Sequence, residues 1–287
     1  MTYVIAEAGA CGDGDLTKML EQVDACAEAG VDAVKFQWTS DATEMAHRRG
    51  RAAVDGYAAI YKRYLQWPTE WHDHLYARCQ ELDRDYLCSV YLPQDVEVVS
   101  PCVRHFKVSS FETQDHALIN EVLDEIDDTM TQYPMDVNGD DRWMLLSLGM
   151  VTDLECDMLR MRYAPISCVK LLHCISAYPT PFDAMCLSAI NDRDLDGFSD
   201  HTAPELTMTG GLAVAAGATI IEAHMRLDTT DERNPDAPHA MTPTQLTDYV
   251  QRIRMVERGM FTQKPQCEDQ MREYRVGKPD GIASSHD

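Results

Sequence analysis

Two histidines stand at matched places in the chain. His201 closes Gly197-Phe198-Ser199-Asp200-His201, and His224 closes Ile220-Ile221-Glu222-Ala223-His224. Each follows a short apolar run, the pattern of a buried strand that delivers polar side chains at its C-terminal end. Two imidazoles on adjacent strand ends can converge on one divalent ion and leave positions for water and substrate oxygens. That donor set suits Mn2+, Fe2+, Co2+ or Zn2+ rather than Ca2+. Lys35 and Lys107 lie near the ends of two further apolar runs, 32–37 and 105–108, in a chain with 48 acidic and 25 basic residues. Lysines so placed neutralise a carboxylate or phosphate, while serine hydroxyls and backbone N–H groups fix its oxygens. Glu7, Gln37, Ser89, Glu112, Ser147, Ser176, Tyr178 and Ser199 occupy equivalent strand-end positions. His173 sits inside an apolar run and reads instead as a hydrogen-bonded core residue.

These residues need a scaffold that brings strand ends to one rim. Apolar runs at 3–8, 32–37, 86–90, 105–108, 143–148 and 167–174 precede the two histidine runs. Helical spacing follows at 16–29, 69–82, 94–99, 116–126, 152–162, 183–190, 204–216 and 242–258, with Thr69 as a predicted N-cap. Strands alternating with helices imply a parallel sheet, and about eight such units imply a closed α/β structure, the (β/α)8 TIM barrel. A single barrel domain is predicted over 1–262, with its active site at the C-terminal ends of the strands. The polar segment 38–67 is long for a connection and predicts a cover or contact surface. Residues 127–141 read as an acidic surface excursion, and 263–287 as a loosely ordered tail.

Composition narrows the partners. A net charge of -23 repels nucleic acid and anionic membranes, so neither is an expected partner. The 10 cysteines are scattered without a CxxC pair, as in a protein kept reduced. The first residues enter a strand with no basic leader, and no apolar run is long enough to span a bilayer. A cytoplasmic location is the expectation.

The strings Ile5-Ala6-Glu7-Ala8-Gly9, Val34-Lys35-Phe36-Gln37, Phe106-Lys107-Val108 with Ser110 and Glu112, and Leu146-Ser147-Leu148-Gly149-Met150 run in order along the chain. They are followed by Leu171-Leu172-His173-Cys174, Tyr178-Pro179-Thr180-Pro181, Ser199-Asp200-His201-Thr202 and Ile221-Glu222-Ala223-His224. This series resembles the N-acetylneuraminate (sialic acid) synthase family over about residues 3–258. The resemblance implies condensation of phosphoenolpyruvate with an aldehyde sugar, release of phosphate and a 2-keto-3-deoxy acid product. It implies that Lys35, Lys107, Ser89, Ser110, Ser147, Ser176 and Ser199 hold phosphoenolpyruvate. His201 and His224 would bind the metal, with Mn2+ foremost and Mg2+, Co2+ or Zn2+ as alternatives. Glu7, Gln37, Glu112, Tyr178 and Asp236 would face the sugar or the attacking water, with Glu112, Glu7 and Asp236 as the catalytic candidates. A homodimer is also implied.

The chain departs from the family pattern at the acceptor end. Ala10-Cys11-Gly12-Asp13-Gly14 replaces the family's Asn-His-x-Gly, and Ser89-Val90-Tyr91-Leu92 replaces Ser-Thr-Pro-Phe. Residues 259–287 are too few for the small antifreeze-like domain that family members carry after the barrel. The expected acceptor is therefore an aldehyde other than N-acetylmannosamine. Two other readings stay open: aldol or lyase chemistry on a 2-keto acid in the same barrel, and a non-catalytic barrel acting as a binding subunit.

Overall fold

Short runs rich in Val, Ile, Leu and Phe bury both faces, one against helices and one inside a barrel, which is the environment of a parallel strand. They form β1 (Tyr3–Glu7), β2 (Ala33–Gln37), β3 (Asp85–Ser89), β4 (His105–Val108), β5 (Met144–Ser147), β6 (Val169–Cys174), β7 (Gly197–Asp200) and β8 (Ile220–His224). All pairs are parallel, and the sheet closes in the order β1-β2-β3-β4-β5-β6-β7-β8. Closure is made by β1 on β8, where Glu7 lies beside His224. The predicted single-domain (β/α)8 barrel is what the chain forms. The computed structural model describes residues 1–50, 56–132 and 142–261. The expected tail and most of the expected 127–141 excursion lie outside these residues.

The helices are α1 (Leu16–Ala29), α2 (Ala42–Arg48), α3 (Tyr57–Tyr64), α4 (Trp71–Glu81), α5 (Pro93–Val99), α6 (His116–Gln132), α7 (Asp153–Tyr163), α8 (Ser188–Asp192), α9 (Thr209–Ala215) and α10 (Pro243–Phe261). Their ends follow local chemistry. The Asp15 carboxylate accepts from the N–H of Thr17 at 2.8 Å and caps α1, which stops at Gly30 with φ 84°. Thr152 and Glu155 form a reciprocal capping box on α7. Among the described residues, no helix is long and apolar enough to cross a membrane.

Three local expectations are corrected. Thr69 does not cap α4; the N-cap is Glu70, without a side-chain hydrogen bond. The expected helix at 183–190 divides into a 3-10 turn, Phe182–Ala184, and the short α8, because Cys186 takes a left-handed φ of 48° that no helix continues through. The expected helix at 204–216 is helical only in α9, because the chain first turns through Leu206 and Thr209.

Candidate active site

Side chains alternate across each strand, so every second residue points into the barrel. Ile5, Ala33, Leu87, Leu145, Leu172 and Ile220 form one apolar interior cluster. Two residues further along the same strands stand Glu7, Lys35, Ser89, Ser147, Cys174 and Glu222. Lys107 and Ser199 hold the corresponding places on β4 and β7. A polar layer therefore rests on an apolar floor, and a cavity of about 430 Å3 opens above it, lined by Lys35, Lys107, His201, Glu222 and His224 among others. A larger groove of about 850 Å3 lies between α7 and α8 and is lined by Arg160, His173 and Arg193. It contains none of the paired lysines or rim histidines. His173 bonds the Met185 carbonyl at 2.7 Å, in keeping with a core residue.

The two lysines share one carboxylate. Lys107 Nζ donates to both oxygens of Glu222 at 3.1 Å, and Lys35 Nζ lies 3.7 Å from Glu222 Oε2. Ser199 Oγ donates to Glu222 Oε1 at 2.7 Å. Lys35 also pairs with Glu7 and donates to Ser89 Oγ at 2.8 Å. Burial lowers Lys35 to about 8 against the attraction of Glu222. Burial alone would raise Glu222, but Lys107 and Lys35 outweigh it and hold the carboxyl well below the usual range. Lysine, glutamate and serine thus form one buried, mutually hydrogen-bonded cluster.

Beside it lies a small polar cradle. A Cβ added to Gly149 would come within 2.4 Å of Ser176 Oγ and 2.6 Å of Ser110 Oγ. The Gly149 N–H donates to Ser110 Oγ at 3.0 Å. Ser147 Oγ is buried without a hydrogen-bond partner among the described residues. An oxyanion seated here meets hydroxyls and a backbone turn that only a glycine leaves open.

Next to the cradle the imidazoles gather. The rings of His201 and His224 lie 5.2 Å apart, and Tyr178 lies 4.5 Å from His201. His201 Nδ1 faces the Ile175 carbonyl at 3.0 Å, so the proton sits on Nδ1 and Nε2 keeps its lone pair. Burial lowers the pKa of both histidines, which keeps them neutral. Asp236 Oδ2 is 3.6 Å from His224 Nδ1, and Asp236 is held down to about 2 although burial opposes this, because His224 lies beside it. A third ring, His239, lies 4.5 Å from His224. Neutral imidazoles with free lone pairs beside an ionised carboxylate fit a divalent transition metal.

The outer wall comes from the β2–β3 connection. Arg49 follows α2 and grips Glu112 with two bonds, Nε to Oε1 at 2.6 Å and Nη2 to Oε2 at 2.9 Å. Ser109 Oγ adds a third at 2.5 Å. The guanidinium lies over Phe111, Tyr91 and Tyr61 at 4.5, 5.0 and 5.4 Å. Tyr91 donates to Gln37 Oε1 at 2.9 Å. Glu7, Gln37 and Asp236 converge on Gly9, where a Cβ would meet all three within 3.1 Å.

The residues singled out from the sequence line this cavity except Glu112, which stands behind Arg49 at its wall, and Ser176, which lines the neighbouring groove between α7 and α8 and lies beside Gly149 and Ser110. Three participants were missed as site residues: Cys174, Arg49 and His239. Glu222 stood out in the sequence as a strand-end carboxylate two residues before His224, but without a role. Cys174 likewise ends β6 on the inward period, but its apolar neighbours conceal it. Arg49 and His239 come from connections with no periodicity, and nothing in their neighbours signals them.

The NeuB family model matches residues 22–264. The chain is 29% identical over 270 residues to the spore coat polysaccharide biosynthesis protein SpsE of Bacillus subtilis, covering 89% of this chain and 67% of that protein. It is 26% identical over 295 residues to a pseudaminic acid synthase of Campylobacter jejuni, covering 96% and 79%. The N-acetylneuraminic acid (sialic acid) synthetase of Leptospira borgpetersenii shares the fold, with TM-score 0.78, 24% identity and coverage of 96% and 91%. By the extent of the family match and the continuity of its barrel, the chain belongs to the NeuB family.

Proposed function

We propose that the protein condenses phosphoenolpyruvate with an aldehyde sugar to give a 2-keto-3-deoxy acid and phosphate. The observation that carries the reading is Lys35 and Lys107, 1% and 3% exposed, buried beside the Ser110–Gly149–Ser176 cradle in the cavity that also holds His201 and His224. Two buried ammonium groups at one point suit a small polyanion, and phosphoenolpyruvate carries both a carboxylate and a phosphate.

In this reading the cradle and lysines fix the phosphate and carboxylate, and Ser147 supplies its unpartnered hydroxyl. His201 and His224 would hold the divalent metal, Mn2+ by family resemblance. Bound there, the metal would supply Lewis-acid polarisation of the acceptor carbonyl. Glu112, expected from the sequence to meet the acceptor, instead stands behind Arg49 and holds its guanidinium at the acceptor end, where Arg49 would orient the aldehyde. The methylene carbon of phosphoenolpyruvate forms a bond to the aldehyde carbon, whose oxygen takes a proton. Water adds at the enol carbon, and the tetrahedral species expels phosphate by carbon–oxygen cleavage. Asp236 and Glu7 flank Gly9 and are the groups that take the water's proton.

Support for an acceptor other than N-acetylmannosamine comes from the departures from the family pattern at Ala10-Cys11 and at Val90-Tyr91-Leu92, of which Ala10 and Tyr91 line the cavity. The test is phosphate release from phosphoenolpyruvate with Mn2+ against a panel of aldoses and 2-acetamido sugars. Aldehyde-dependent release, lost in Lys107→Ala, is expected. Release of pyruvate from 2-keto acids with no condensation would favour the lyase reading, and no turnover together with no phosphoenolpyruvate binding would favour a non-catalytic barrel. A homodimer belongs to the same proposal, and a monomeric mass by sedimentation would remove it.

A further inference from the structure

His239 is 3% exposed, and neither of its ring nitrogens has a hydrogen-bond partner among the described residues. A buried imidazole without partners is costly, because a polar group taken from water keeps its full desolvation penalty. Its ring lies 4.5 Å from His224, 5.1 Å from Tyr178 and 6.0 Å from His201. Ligand atoms of His224, Asp236 and His239 all come within 4.8 Å of one another. His224 Nδ1 likewise has no hydrogen-bond partner among the described residues and faces Asp236 Oδ2 at 3.6 Å. The loop is held in place: Asn234 donates to the Ala10 carbonyl at 2.7 Å and to Asp13 at 2.9 Å, and its Oδ1 accepts the Asp236 N–H at 3.1 Å. The His239 N–H closes a turn onto the Asp236 carbonyl at 3.2 Å. A rigid loop therefore presents a carboxylate and an imidazole to the same point as the strand-end histidine.

We propose that His239 is a further metal ligand, and that with His224, Asp236 and the facing His201 it makes a nitrogen-rich site selecting a borderline transition ion such as Co2+, Zn2+ or Fe2+ over Mg2+. This rests on the metal reading of the proposed function and deepens it. Imidazole favours those ions, whereas oxygen-rich sites favour Mg2+ and Mn2+. A third imidazole moves the balance toward the borderline ions.

The test uses the full chain, stripped with chelator and titrated with Co2+, whose visible ligand-field absorption reports the donor set directly. Wild type is compared with His239→Ala, His239→Phe and His201→Ala, with thermal melts for each. The Phe variant keeps the ring packed against Tyr178 and removes the donor. Both His239 variants are expected to bind Co2+ at least ~10-fold more weakly with an altered spectrum, the scale on which metal sites respond to loss of supporting groups. Mg2+ competition against bound Co2+ is expected to become more effective in both variants. Wild-type affinity and spectrum in His239→Phe would overturn the inference. If His201→Ala alone abolishes binding, the two-histidine reading stands and the His239 inference fails. No Co2+ binding by the wild type would overturn both. If the Ala variant does not fold, the Phe variant decides.

Discussion

Glu222 accepts from Lys107 through both carboxylate oxygens at 3.1 Å while Ser199 donates to one of them at 2.7 Å. With Lys35 3.7 Å away, this glutamate is the counter-ion of Lys107 and shares Lys35 with Glu7, so that two ammonium groups stay buried. Replacing it by glutamine leaves Lys107 uncompensated and Lys35 with Glu7 alone, at a cost of about 3–5 kcal/mol. Glu222→Gln should lower the urea midpoint accordingly, and inorganic phosphate should restore more stability to the variant than to the wild type. Equal stability of the two proteins in phosphate-free buffer would contradict this role.

Gly149 is where the cradle is most sensitive. The methyl of Gly149→Ala would meet Ser176 Oγ and Ser110 Oγ at 2.4 and 2.6 Å, inside contact distance. Titration calorimetry should show phosphoenolpyruvate bound at least ~10-fold more weakly, about 1.4 kcal/mol, with the melting temperature little changed. Unaltered binding would place the anion elsewhere.

In the proposed reaction Arg49 and Glu112 act as a unit at the acceptor end. Removing the guanidinium in Arg49→Ala frees Glu112 and opens the aromatic wall. The apparent KM for the aldehyde should rise ~10-fold or more while phosphoenolpyruvate binding is unchanged. Arg49→Lys should recover little of this, because an ammonium cannot make the two-pronged contact. A matching loss of phosphoenolpyruvate affinity would mean that the two halves of the cavity are not separable.

At the opposite end of the barrel, His105 accepts the Trp143 N–H through Nδ1 at 3.0 Å and stacks on the Trp143 ring at 4.3 Å. Burial, aided by Arg104 and Arg142, lowers it from 6.5 to about 3. The unfolded chain therefore binds this proton first as pH falls, so its contribution is present above about 6.5 and is lost progressively between about 6.5 and 3. Urea midpoints should fall from pH 7 to pH 5, and should fall less in His105→Gln. Equal slopes would show that other groups govern acid unfolding.

The barrel was legible because short apolar runs alternating with stretches of helical spacing are visible in hydrophobicity alone, and Lys35, Lys107, His201 and His224 interrupt or end those runs. What they interrupt them for was less legible. The Lys107–Glu222 pair spans 115 residues and depends on closure of β8 against β1, which no local pattern records. The Glu112–Arg49 pair depends on a connection that folds back over the rim. Cys186 and its left-handed φ divided a segment that hydrophobic spacing reads as one helix. Local propensity cannot anticipate a turn imposed by tertiary packing.

The wall around Arg49 comes largely from the single connection between β2 and β3, which contributes Arg49, Tyr57, Ile60, Tyr61, Tyr64 and Leu65 to the cavity. The anion-binding groups come instead from strand ends distributed around the ring. The two parts of the lining therefore have different sequence origins. One contiguous exchange between β2 and β3 would replace the wall around Arg49 as a block, whereas rebuilding the lysine end would require coordinated changes in many separate segments.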